Sequence, residues 1–259
     1  MLGDSKDYEK LANDNSFHVW AKYEPLDVQY VRYAESDPSA IAAGHKIFDV
    51  YHAFANAKQS FRSANYQNYG DISGNNDISK LYTKTHFLLY AVLEYALCLD
   101  LSWQVVWAYI QPASFKYLLN MHYQKMEKEC DRDNLYAQLD CAIAQNSIKA
   151  IKLKKILKTF DDDPDTIKLR TLNNSIKHHE TIHFEGLGAN FSNMMMTING
   201  NRISTLSRKS YSVEEIEGLL FKYHGKFQDY FNLLIQEIMP DGYFESAVSF
   251  KTYIEMRKK

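Results

Sequence analysis

Apolar side chains in this chain recur mostly at helical spacing. From Ile41 through Phe48, Tyr51 and Phe54 they return on one side of a 3.6-residue repeat that lasts to about Ser63. Asp37-Pro38 supplies the start of that helix, with Asp as cap and Pro at the first turn. A second long helix begins near Asp77 and carries Leu81, Leu88, Val92, Tyr95 and Leu99 along one face. Between Phe87 and Leu101 apolar residues occupy nearly every side, which predicts the most enclosed helix of the fold. Trp103 to Ile110 reads as a separate short helix stopped by Pro112.

Tyr117–Glu129 and Asn134–Phe160 read as two more helices. Asp163-Pro164 repeats the start signal, so a helix runs from Pro164 through LNNSIKHHETIHFEGLG (Leu172–Gly188), with Gly186 and Gly188 ending it. Asn199-Gly200 predicts a small β-hairpin within residues 194–210. Ser212 with Glu215 forms a capping box for a last helix through Leu219, Tyr223, Phe227, Phe231, Leu234 and Ile238, closed by Pro240. The first 38 residues are polar with scattered aromatics. Some period-two alternation between Phe17 and Glu35 suggests a short strand or an irregular arm packed by Trp20 and Tyr23. The pattern predicts an all-α helical bundle with a minor hairpin: an arm over 1–38 and a single helical domain over 39–259.

Composition narrows the function classes. The 46% hydrophobic content over 259 residues fills a real core, and only five prolines and ten glycines interrupt it, so long helices are allowed. Thirty basic against 32 acidic side chains leave no global field for a polyanion, and any RNA contact has to be local. The lysines at 149, 152, 154, 155 and 158 precede acidic Asp161–Asp163. They read first as a solvated helix face near its C-terminus and only secondly as a phosphate-contacting surface. Cys98, Cys130 and Cys141 form no C-x-x-C pair and read as buried or free thiols in a reducing compartment. No secretory leader pattern opens the sequence, and Glu94 and Asp100 interrupt the longest apolar run. The expectation is a cytoplasmic protein with no membrane partner. His45, His52 and His86 fall on apolar helical faces, the setting of hydrogen-bonded core histidines, and Trp103 and Trp107, one turn apart, read as core or dimer interface.

Two motifs overlap in Leu172–Gly188. Read from His179, the string is H-E-x-x-H. On a helix His179 and His183 would share a face and bind zinc while Glu180 activated a water. A third ligand is needed, and the position three residues past Gly186 holds Ala189, followed by Asn190. Lys177 and Glu185 also place charge where a zinc peptidase helix is buried. The metallopeptidase with Zn is therefore the minor alternative, and no cofactor is the main expectation.

Read from Pro164 on a helix, Arg170, Asn174 and His178 recur every four residues on one face, with Asn173 and Lys177 beside them. A histidine for proton transfer, a fixed cation and amides that orient a phosphate are sufficient for RNA cleavage, because the ribose 2′-hydroxyl is the nucleophile. With an enclosed helix preceding it, the sequence LNNSIKHH resembles the HEPN superfamily, whose signature R-N-x-x-x-H lies on a late helix. Asn174 and His178 match its Asn and His, and Asn173 stands where its Arg would be. Arg170, one turn earlier, is the available substitute.

The resemblance spans at most Ile78–Met239. It implies a homodimer in which two such helices build one composite site. It also implies a metal-independent ribonuclease of toxin, phage-defence or RNA-processing type, with a protein partner such as an antitoxin, or a non-catalytic binding and dimerisation module. On this reading His178 is the acid/base and Arg170 the phosphate anchor, with Asn174 in the site. Asn173, Lys177 and His179 lie around it, and Glu94 of the enclosed helix is a supporting partner.

Overall fold

Side-chain caps set where the helices begin. The computed structural model describes residues 11, 13–66, 73–111, 118–188, 195–204, 208–244 and 254. A 3-10 helix, Ser16–Tyr23, leads into α1 (Asp27–Tyr33) and α2 (Pro38–Ser63), whose first turn is capped by Asp37 accepting from Ala40 N at 3.3 Å. Asn76, accepting from Ser79 N at 2.8 Å, starts α3 (Asp77–Ile110), and α4 (Asn120–Lys128) follows. Asp131 caps α5 (Arg132–Ala144) and Ser147 caps α6 (Ile148–Asp161). Asp163 caps α7 (Pro164–His178), its Oδ1 accepting from Asp165 N and Thr166 N, and Ser212 caps α8 (Val213–Ile238) through Glu215 N. Each such cap satisfies amides that the helix itself cannot.

Between α7 and α8 the chain forms four short strands: β1 (His183–Phe184), β2 (Met195–Ile198), β3 (Asn201–Ser204) and β4 (Ser210–Tyr211). β2 and β3 make the expected antiparallel hairpin about Asn199-Gly200, both at positive φ as its two-residue turn requires. β1 and β4 pair in parallel, His183 opposite Ser210 and Phe184 opposite Tyr211. The fold is all-α with this small β element.

α2 and α3 pack along one another, and α8 lies against α2, α3, α6 and α7. Their shared interior is aromatic. Phe54, Tyr95, Tyr223 and Phe227 are fully buried there, Phe160 stacks on Tyr230 at 4.0 Å, and Trp20 of the 3-10 helix inserts between Phe54 and Phe231. By length and composition α3 is long and apolar enough to cross a membrane, yet 56% of its most apolar window is buried within the protein, as suits the enclosed helix of the bundle.

Three segments differ from the sequence pattern. Residues 16–23 and 27–33 form two short helices where an extended stretch was expected, and Trp20 of the first and Tyr33 of the second are drawn into the core. Trp103–Ile110 continues α3 without a break: no Gly or Pro separates the pieces, and Ser102 satisfies its hydroxyl on Leu99 O at 2.7 Å. Conversely, the helix expected over Asn134–Phe160 is cut at Gln145–Ser147, where Asn146 adopts φ 64°. Asn tolerates that left-handed conformation better than other chiral residues do. Asn146→Ala is therefore expected to cost about 1 kcal/mol in urea unfolding, while Asn146→Gly leaves stability nearly unchanged. Equal values for the two variants would remove backbone strain as the cause.

The lysines of α6 serve the bundle. Lys149 donates to Tyr109 Oη and lies 4.4 Å from that ring's centre, Lys152 pairs with Glu237 at 3.4 Å, and Lys154 pairs with Asp140. Three of the five lysines are thus engaged within the protein, on a run that the sequence read first as a solvated helix face.

Candidate functional site

The core-facing side of α7 fixes everything on its other sides. Thr166, Leu169, Leu172 and Asn173 are buried, so the helix cannot rotate without exposing leucines. At its start Lys226 of α8 holds Asp163 at 2.6 Å and Asp165 at 2.7 Å, tying the first turn to the bundle. The flank beside the core meets α3. There the Arg170 guanidinium lies 5.4 Å from the centre of the Trp103 ring, and Lys177 Nζ lies 3.7 Å from Asp100 Oδ2. A guanidinium seated on an indole face keeps its charge while losing side-chain freedom, which is how a cation is held ready for an anionic ligand. Burial pushes the Asp100 carboxyl above its usual range, and the positive charges of Lys177 and Arg170 oppose that rise.

Asn174 and His178 face solvent on the next strip of the helix, and the rings of His178 and His179 stand 6.3 Å apart. Arg170, Asn174 and His178 thus follow one side of α7 from a half-buried to a fully open position. Asn173 does not join them. It is 5% exposed, turned toward the core, and its Oδ1 has no hydrogen-bond partner among the described residues. The position where the HEPN signature carries Arg is therefore a packed one in this chain. Glu94 is half-buried on α3, and burial raises its carboxyl's pKa. At 100° per residue it points about 120° away from Asp100 around the helix, off the flank that meets α7.

The helix stops at His178, earlier than Gly186 and Gly188 suggested. Ser175 O accepts from both His179 N at 2.9 Å and Glu180 N at 2.8 Å, which closes the last turn without glycine. His179 has φ −131°, and His183 already belongs to β1. The one-turn spacing that would bring His179 and His183 onto a common helical face is not formed, and among the described residues no three His, Cys, Asp or Glu side chains gather as a ligand set. The H-E-x-x-H string lacks the geometry its zinc reading requires.

The β1/β4 pairing adds two residues that the motif did not suggest. β1, which begins five residues past the end of α7, holds β4 in place, and Arg208 and Lys209 immediately precede β4 in the chain. Lys209 lies 4.6 Å from the centre of the Tyr211 ring. No spacing rule announces a two-residue parallel pair formed across 27 positions, just as none joins Arg170 to Trp103.

His45, His52 and His86, expected in the core, are all exposed; His86 packs edge-on against Tyr90 at 4.8 Å. They lie on the borders of broad apolar stripes, where helical spacing alone does not separate a buried from a rim position. The core histidine is His224, on α8. Trp103 and Trp107 are buried as expected, the latter donating to Met126 O at 2.8 Å. A groove of about 590 Å³ between α6 and α8, floored by Ile156, Phe160, Tyr230 and Leu233, lies on a different side of α8. Two of its rim cations, Lys152 and Lys226, are already paired with carboxylates.

No protein-family description matches this chain, and comparison with curated proteins and with solved structures likewise returns no match.

Proposed function

We propose that the chain is a HEPN-like RNA-binding protein whose contact surface is the Arg170, Asn174 and His178 side of α7, extended past the helix end by Arg208 and Lys209. The observation that carries the reading is the seating of Arg170 on Trp103 while His178 stays open to solvent on the same side of one helix. Arg170 anchors a phosphate, Asn174 orients it, and His178 is the acid/base.

The eight-residue step from Arg170 to His178 amounts to about 12 Å along the helix axis. That distance exceeds one phosphodiester, so a single copy engages successive phosphates of a strand. Cleavage requires Arg170 of one copy beside His178 of another, the homodimer arrangement of the HEPN type. The buried Asn173 favours binding without turnover as the second reading, because an uncharged, packed side chain holds the position where the signature carries Arg.

The test is an RNA cleavage and binding experiment in excess EDTA. Wild-type protein is expected to bind single-stranded RNA, and Arg170→Ala to weaken that binding and reduce its salt dependence by about one counterion. RNA cut by the wild type and left intact by His178→Ala, in a protein that light scattering shows to be dimeric, identifies the ribonuclease. Binding without cleavage identifies the binding module. Absence of both, or binding indifferent to Arg170 and His178 together, removes RNA from this surface.

A further inference from the structure

The β2–β3 hairpin shows solvent the side chains that a small sheet ordinarily hides. Met195, Met196, Ile198 and Ile203 are each 41–62% exposed. Cross-strand partners share a face, so the pairing of Met196 with Ile203 and of Ile198 with Asn201 gathers three of these apolar side chains on one side. The other side carries Thr197 and Arg202, with Met195 beside them. A two-stranded hairpin is at best marginal alone in water, and one whose apolar face is uncovered gains by packing against a second surface.

The charge of the segment selects the surface. From Gly186 to Val213 the sequence has Arg202, Arg208 and Lys209 and not one Asp or Glu. A second copy docked through the same hairpin would set two segments of the same charge against each other. RNA would suit the cations, but strand binding relies on aromatic rings for base stacking, and residues 195–204 contain none. Aliphatic and thioether side chains on one face of the hairpin, with Arg202 on the other, match the boundary between acyl chains and anionic headgroups.

We propose that this hairpin is a contact for the surface of an anionic lipid bilayer, entering the headgroup region with Met196, Ile198 and Ile203 while Arg202, Arg208 and Lys209 meet the lipid phosphates and carboxylates. The inference does not rest on the RNA reading, although the two share Arg208 and Lys209. It requires no membrane-spanning segment, only a reversible surface association that depends on both apolar area and charge.

Sedimentation of the full chain with vesicles of phosphatidylcholine alone, or with added phosphatidylserine, tests it. Protein is expected to pellet with the anionic vesicles and not the neutral ones, and to be released by high salt. The exposed double variant Ile198→Asp/Ile203→Asp, folded by circular dichroism, should lose at least about tenfold in partitioning, and Arg202→Glu at least about fivefold. No binding to anionic vesicles overturns the proposal, as does equal binding by the double variant. Loss of RNA binding or of self-association in the double variant, with no vesicle binding by the wild type, reassigns the hairpin to those partners and equally overturns it.

Discussion

Trp20→Ala is expected to lower the unfolding free energy by about 3–5 kcal/mol, the range for deleting a large aromatic from a packed interior. The indole is completely buried although it belongs to a 3-10 helix near the start of the chain. Its ring meets Phe54 at 5.0 Å, Phe231 at 4.8 Å and Phe227 at 6.4 Å, and so touches residues of α2 and α8 together. Its Nε1 donates to Asn232 Oδ1 at 2.8 Å. Alanine therefore leaves a cavity bounded by stiff rings that do not collapse into it, and strands an amide oxygen that had a partner. Against a total of about 5–15 kcal/mol for a domain, such a loss removes much of the margin.

Trp20→Phe should fall between the two, keeping most of the volume while losing the hydrogen bond. The measurement is equilibrium urea unfolding of the three proteins. A loss under about 1 kcal/mol for the alanine variant would show that residues 16–23 cover the bundle without helping to hold it together.

That residues 1–38 read as an arm while part of them builds the core illustrates what sequence pattern carries in this chain. Helix starts were legible because a cap is a local event: Asp37, Asp163 and Ser212 each act within four residues and each is found capping, while the Glu215 carboxylate, expected to complete a capping box, pairs with Lys168. The hairpin was legible for the same reason, since Asn199-Gly200 fixes its own turn. Helix ends were less so. α7 stops at a doubly accepting Ser175 carbonyl, and α5 stops at Asn146, without a Gly or Pro to mark either place.

The candidate site was half legible. Helical spacing puts Arg170, Asn174 and His178 on one side, which the structure retains. Whether Asn173 faced them or the core depended on which way α7 lies against α3, and that is decided by Leu169 and Leu172, whose pull spacing alone does not weigh against the polar strip. The Trp103 seat under Arg170 and the arrival of Arg208 and Lys209 are tertiary events between distant segments. The burial of His224 is likewise a product of packing.

That histidine makes acid stability the second large effect. His224 is enclosed between Phe54, which stacks on it at 4.7 Å, and Tyr95, whose hydroxyl lies 2.7 Å from Nδ1, while Nε2 has no hydrogen-bond partner among the described residues. Burial, reinforced by the positive charge of Lys58 and only partly offset by Asp14, depresses its pKa from 6.5 to about 4. The folded state thus binds this proton less readily than the unfolded chain does.

Stability from the neutral ring is complete above pH 6.5 and drains away as pH falls toward about 4. At ~1.4 kcal/mol per pKa unit, the full loss is about 3 kcal/mol. Asp14 acts in a lower window. Burial tends to raise its pKa, but hydrogen bonds from Ser16 and Gln228 outweigh that and hold it below 3.8, so its contribution fades only at still more acid pH. His224→Gln keeps a group able to accept from Tyr95 Oη and carries no titrating proton. Unfolding free energies measured from pH 7.5 to 4 should converge, the wild type losing about 3 kcal/mol more than the variant across the window. Parallel curves for the two proteins would mean that water reaches Nε2 and that the ring protonates in place.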